Sequence, residues 1–166
     1  SSNAKGLLTH DHPLNAGGML FGAGQRELLS KADVVLSLGA EFGDTEWTFY
    51  TDKPPQVTGT LIRVDIDPSQ LNRNIEPDLA IEADASAFAE ALLSAINRPP
   101  APDVDLNACA AAPQKDLAEN YTRHLPMIEA LWEAYPNAIL VGDSAEPSYT
   151  ATCAGRAPGS RQWFTG

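Results

Sequence analysis

The feature that most constrains this chain is a series of short apolar runs, each closed by a glycine or an acid and separated by stretches with helical spacing. Val34-Val35-Leu36-Ser37-Leu38 ends at Gly39, Leu61-Ile62-Arg63-Val64-Asp65-Ile66 ends at Asp67-Pro68, and Leu79-Ala80-Ile81 leads into Glu82-Ala83-Asp84. A fourth run, Ala138-Ile139-Leu140-Val141, ends at Gly142-Asp143. Runs this short, rich in β-branched residues and bounded by Gly or Pro, read as buried strands rather than helices. Gln25 to Lys31 places Leu28 and Leu29 on one side of a helix just before the first strand. Asp84 stands where a cap is needed for a helix over Ala85 to Asn97, in which Phe88, Leu92, Leu93 and Ile96 share a face. Pro126 suits the first turn of a later helix with Ile128, Leu131 and Trp132 on its apolar side, stopped by Pro136-Asn137. Strands alternating with helices predict an α/β fold with a doubly wound parallel sheet, and the fourth strand opens a second, incomplete α/β domain.

Composition narrows the partners. The 166 residues hold 11 Lys+Arg against 22 Asp+Glu, a net charge of −11. A chain with that balance lacks the basic face that phosphate neutralisation requires, so nucleic acid is excluded as a partner. An anionic membrane surface is disfavoured for the same reason, and no apolar run approaches the roughly 20 residues that cross a bilayer. No basic segment followed by an apolar core opens the chain, and Cys109 and Cys153 supply neither a disulfide framework nor a CxxC pair. The expectation is a reduced, cytoplasmic protein.

The organisation expected from these signals has four parts. Ser1-Ser2-Asn3-Ala4 reads as an expression-tag remnant. Residues 5–98 form the first α/β domain. A linker follows over 99–113, marked by prolines at 99, 100, 102 and 113. Residues 114–166 begin the second domain, with a polar helix over about 114–123.

Candidate site residues sit where strands end, because open α/β sheets bind ligands outside the carboxyl ends of their strands. Gly39, Asp65, Asp67 and Asp84 are such residues, and an acid after a second strand can accept hydrogen bonds from ribose hydroxyls. The same acids can instead cap the turns and helices that follow them, and by pattern alone capping is the commoner role. Gly17, Gly18, Gly22 and Gly24 could bring backbone N–H groups near a phosphate, but they follow no strand in fingerprint order and also suit a plain turn. His10-Asp11-His12 holds three ligand types in a row, yet adjacent side chains diverge and no partner lies at ligand spacing, so no metal site is assigned. No GxSxG elbow is present, and no catalytic residue is assigned.

Taken together, several segments resemble the thiamine-diphosphate-dependent enzymes of the acetolactate synthase and 2-oxo acid decarboxylase type. Lys5-Gly6-Leu7-Leu8 with Asp11-His12-Pro13-Leu14 is similar to the entry into their central domain. Ala32 to Leu36 with Leu38-Gly39-Ala40, then Arg63-Val64-Asp65-Ile66-Asp67-Pro68, then Ala80 to Ala85, resemble successive strand ends of that domain, which is Rossmann-like, of the NAD/FAD-binding type. Ile139 to Ser144 resembles the first strand of the diphosphate-binding domain, and Arg161-Gln162-Trp163-Phe164 its next segment.

The resemblance implies a parent enzyme that is a homo-oligomer, uses thiamine diphosphate and Mg²⁺, and acts on a 2-oxo acid. It also implies that Ser144 could donate to a phosphate oxygen. The metal-binding GDG…N motif and the activating glutamate of the family are not matched here, so the chain alone is expected to be inactive. Glu41-Phe42-Gly43-Asp44 replaces the Arg-Phe-Asp pattern of flavin-binding relatives, so FAD is not expected. Together with Gly142, Asp143, Ser144, Pro147 and Tyr149, that stretch is similar to decarboxylases acting on 5-guanidino-2-oxopentanoate. The alternative is a stand-alone module binding NAD or FAD without catalysis, and a central domain acting purely as scaffold is a third possibility.

Overall fold

The computed structural model describes residues 4–17, 22–47, 53–97, 106 and 119–165. Their contacts divide the chain into two compact units, one of residues 27–104 and one joining residues 1–26 to 105–166. Helix α1 spans Ala23–Lys31.

The middle unit is built on three strands, β1 (Val34–Leu38), β2 (Thr60–Asp65) and β3 (Leu79–Glu82), parallel and in that order. Their positions are those expected from the apolar runs, within a residue at each end. Registers pair Leu36 with Ile62 and Ile62 with Leu79, and Leu38 with Val64 and Val64 with Ile81. Because side chains alternate across a strand, these residues share one apolar face, while Ser37, Arg63 and Ala80 share the other. Leu61 and Val64 are buried at the centre of β2. Gly59 is required on the approach to β2, since a Cβ there would collide with the carbonyls of Ala32 and Asp33 beside β1. A short helix, α2 (Asp44–Trp47), follows β1, and α3 (Ala85–Ala95) follows β3. Asp84 caps α3 as expected, its carboxylate accepting from the Ala87 amide at 2.9 Å.

The other unit contains a 3-10 turn at Glu119–Tyr121, then α4 (Leu125–Ala134), β4 (Leu140–Gly142), α5 (Glu146–Cys153) and β5 (Trp163–Thr165). Pro126 lies in the first turn of α4, where its missing N–H costs nothing. Strands β4 and β5 pair in parallel, Leu140 with Trp163 and Gly142 with Thr165. Ile128, Trp132, Ala151, Ala157 and Trp163 form the core, with Leu140 packed against it. Gly142 lets β4 pass close to Ser148 and the Trp163 ring, each 2.5 Å from where a Cβ would stand.

Residues 4–17 belong to this unit by their contacts. The Arg161 amide donates to the Gly6 carbonyl at 2.9 Å, and Lys5 and His10 reach residues 151–157. The expected linker, apart from Leu106, and the first half of the helix expected over about 114–123 lie outside the described residues, as do Gly18 and Cys109; the end of that helix is instead the 3-10 turn at Glu119–Tyr121.

Candidate functional site

Parallel pairing carries the strand-end residues of the middle unit to one edge. The Gly39 amide donates to the Val64 carbonyl at 2.8 Å, and the Ala83 amide to the Asp65 carbonyl at 3.0 Å, so the ladder extends one residue past β1 and β3. Gly39, Asp65, Asp67 and Asp84 therefore share the carboxyl edge of the sheet. The acids there are already engaged by backbone. Asp65 accepts from the Asp67 amide, and Asp67 from the Ser69 amide, each at 2.9 Å. Ser69 holds the Asp67 carboxyl below the usual carboxylate range, with help from Gln70. Gly39 has φ +59°, a left-handed conformation that suits glycine and turns the chain sharply off β1.

Sequence reasoning missed the group that organises this edge. Arg63 is 1% exposed in the middle of β2. One guanidinium nitrogen donates to the carbonyls of Arg73 at 2.8 Å and Ile75 at 3.3 Å. The other donates to Ala40 at 3.0 Å and Glu41 at 3.2 Å. The fork of an arginine matches this task, since it can satisfy several acceptors while its flat face lies on an aromatic ring. That ring is Phe42, 4.7 Å from the guanidinium carbon. Burial lowers the Arg63 pKa from its ordinary value, and Asp65 opposes the shift. The signal in the sequence was a cation inside an otherwise apolar run.

The loops that Arg63 ties together adopt uncommon backbone conformations. Phe42 has φ +51° and Asn74 φ +62°. Asn tolerates that region and Phe does not, so Phe42 must be held there. Its ring packs edge-on to Trp47 at 6.1 Å, and the Asn74 amide donates to its carbonyl at 2.6 Å. Glu41 is paired with Arg73 at 3.0 Å.

A second set of polar groups stands at the carboxyl end of β4. Asp143 accepts from the Ser144 amide at 2.7 Å, and the Ser144 hydroxyl lies 2.7 Å from the Tyr149 hydroxyl. Glu146, at the first turn of α5, pairs with Arg123 and lies 3.5 Å from His124 Nε2. Elsewhere in this unit, His10 contacts the Ala157 carbonyl at 3.3 Å and His12 accepts from the Leu14 amide at 3.1 Å. Among the described residues no group of three His, Cys, Asp or Glu is placed to hold a metal ion. Gly17 has φ +92° in a turn closed by Asn15, which accepts the Gly17 amide at 2.9 Å. Among the described residues no helix is long and apolar enough to cross a membrane.

Comparison with known proteins decides the family. The sequence model of the thiamine pyrophosphate enzyme central domain matches residues 1–92. The chain belongs to this family. A probable 2-ketoarginine decarboxylase of Pseudomonas aeruginosa is 35% identical over 168 aligned positions, covering 96% of this chain and 29% of that protein. A probable acetolactate synthase large subunit of Methanocaldococcus jannaschii is 30% identical over 94 residues, 55% of this chain and 16% of that protein. A Mycobacterium tuberculosis protein named as an acetolactate synthase large subunit is 27% identical over 156 residues, 85% of this chain and 27% of its own length. The chain thus spans less than a third of the relatives it matches.

Membership of the thiamine pyrophosphate enzymes implies thiamine diphosphate as the cofactor. The described residues do not fit that load by themselves. At the end of β4, Ser144 and Tyr149 keep one hydroxyl hydrogen between them to offer a phosphate oxygen, while Asp143 and Glu146 present carboxylates. One hydroxyl donor beside the Asp143 carboxylate does not by itself hold a diphosphate, and the nearby Arg123 is already paired with Glu146.

Proposed function

We propose that this chain is part of a thiamine-diphosphate- and Mg²⁺-dependent decarboxylase whose substrate is a 2-oxo acid with a basic side chain. The observation that carries this reading is the extent of the match to the 2-ketoarginine decarboxylase. It runs over 96% of the chain, beyond residue 92 where the family model stops. 2-Ketoarginine is 5-guanidino-2-oxopentanoate, the substrate class suggested by the stretches at Glu41 and Gly142. In this reading residues 5–98 are the central domain, 99–113 a linker and 114–166 the opening of the cofactor-binding domain of a cytoplasmic homo-oligomer. This portion supplies scaffold, and alone turns over no 2-oxo acid.

The test is carbon dioxide release by the whole parent protein with thiamine diphosphate and Mg²⁺. Release from 5-guanidino-2-oxopentanoate at least tenfold faster than from pyruvate is the expected result. Conversion of pyruvate to acetolactate as the faster reaction would return the parent to the synthase branch.

The gathered edge of Gly39, Asp65, Asp67 and Asp84 supports a second reading, a module that binds NAD or FAD. FAD binding is expected to be weak. With Glu41 neutralised by Arg73, the reason lies in the remaining carboxylates of the edge, which repel a diphosphate. Titration of the purified chain with FAD should give a dissociation constant weaker than about 0.1 mM. Low-micromolar binding would favour the nucleotide module.

A further inference from the structure

We propose that residues 5–10 form a clasp that closes the unit made by the two ends of the chain, by holding the C-terminal end of α5. A helix leaves its last carbonyls without partners, and a cation placed there satisfies them and opposes the negative end of the helix dipole. In α5 the Thr150 carbonyl is used by the amides of Ala154 at 2.8 Å and Gly155 at 3.2 Å. The Ala151 carbonyl accepts from Gly155 at 3.1 Å and from Lys5 Nζ at 2.6 Å. The Thr152 carbonyl accepts from Lys5 Nζ at 2.6 Å as well. The next residue, Gly6, accepts from the Arg161 amide just before β5, and His10 reaches the Ala157 carbonyl in the intervening loop. Three points along 5–10 therefore meet three points along 151–161.

The attachment is polar rather than apolar. Leu7 is 69% exposed and Leu8 42%. Little apolar area holds the segment, so its closure depends on directional bonds, and Lys5 Nζ supplies two of them whether it is charged or neutral. The family match counts residues 1–92 as central domain, whereas the clasp gives the first of them a role in the cohesion of the other unit. The same helix carries Glu146 and Tyr149 at its other end, so an open clasp would loosen the polar cluster at the end of β4 from behind.

Native-state amide hydrogen exchange on the purified 166-residue chain tests this. In the unsubstituted chain the amides of Ala154, Gly155 and Arg161 should exchange with a common protection factor, within about threefold, because one opening exposes them all. Lys5→Met should speed exchange over 150–161 at least tenfold and leave 60–65 unchanged, while Lys31→Met, which removes an exposed pair with Glu27, should change neither. Unaltered exchange over 150–161 in Lys5→Met would overturn the proposal, and so would loss of protection in both units. An Arg161 amide exchanging like an unstructured peptide while Ala154 and Gly155 stay protected would overturn it without any variant.

Discussion

The two units each carry a parallel sheet, but they hold it together by different means. Among the described residues of the middle unit, the buried group with the most bonds is a cation. Arg63 shares its face of β2 with Leu61, lies on the Phe42 ring and satisfies four backbone carbonyls. In the unit of the two ends the core is aromatic and aliphatic, built on Trp132 and Trp163, and the cation sits at a helix end. The difference teaches where each unit is vulnerable. A hydrogen-bonded centre fails when its donor is removed, because the acceptors stay buried and unpaired. An apolar centre with a clasped edge yields first at the clasp.

The largest expected effect follows from the first half of that contrast. Arg63→Met keeps the stem but strips four carbonyls of their donor, at about 4 kcal/mol if two or more remain dry. Urea denaturation followed by exchange over 60–65 should show the loss in the middle unit. A cost below about 1 kcal/mol would mean that water reaches the Arg63 carbonyls and that the edge is not organised by the guanidinium.

A smaller effect is expected in the other unit, and it depends on pH. Burial lowers the Lys5 pKa from 10.5 to about 8, with nearby Cys153 acting in the opposite sense. Between those two values the unfolded chain holds a proton that the folded chain has shed, so stability rises with pH. Burial raises the Cys153 pKa from 9.0 to about 11, with Lys5 opposing. Over that range the folded chain keeps a proton that the unfolded chain has lost, so stability falls. The two slopes cancel between pH 9 and 10.5. The unit of the two ends should therefore gain about 1 kcal/mol from pH 7 to 9 and then level off. Exchange over 150–161, corrected for intrinsic rates, reads this directly. A flat response from pH 7 to 9 would show that the carbonyls of Ala151 and Thr152 keep Lys5 charged against its burial.

Much of the fold was legible in the sequence because strand signals are local. The β-branched runs at 34–38 and 61–66, their closing glycine and acids, and the Asp84 cap all express short-range chemistry. The gathering of Gly39, Asp65, Asp67 and Asp84 at one edge was also legible, since parallel strands put their carboxyl ends together. Arg63 was not, because a cation in a strand reads as surface until its four acceptors, from residues 40 to 75, are brought around it. The bonds from Lys5 and Gly6 to residues 151–161 were illegible for the same reason at greater range. The pairing of Glu41 was illegible too, because its partner, Arg73, lies 32 residues away.

The smallest effect sharpens the reading of the candidate edge itself. Asp84 both caps α3 and shares the carboxyl edge of the sheet with Asp65. As a cap it satisfies the Ala87 amide, and α3 buries none of its residues fully, so the helix start can fray without disturbing a core. Asp84→Ala should then cost about 0.7 kcal/mol, and Asp84→Asn only a few tenths, because asparagine caps about as well as aspartate. Differential scanning calorimetry can rank the two. If the carboxylate served only the helix, neither variant would alter FAD or NAD titrations, and protection would fall in α3 alone. An Asp84→Asn chain that bound FAD tenfold more tightly than the parent chain would instead identify charge at this edge as the barrier to a diphosphate. The cap and the electrostatic wall would then be one residue.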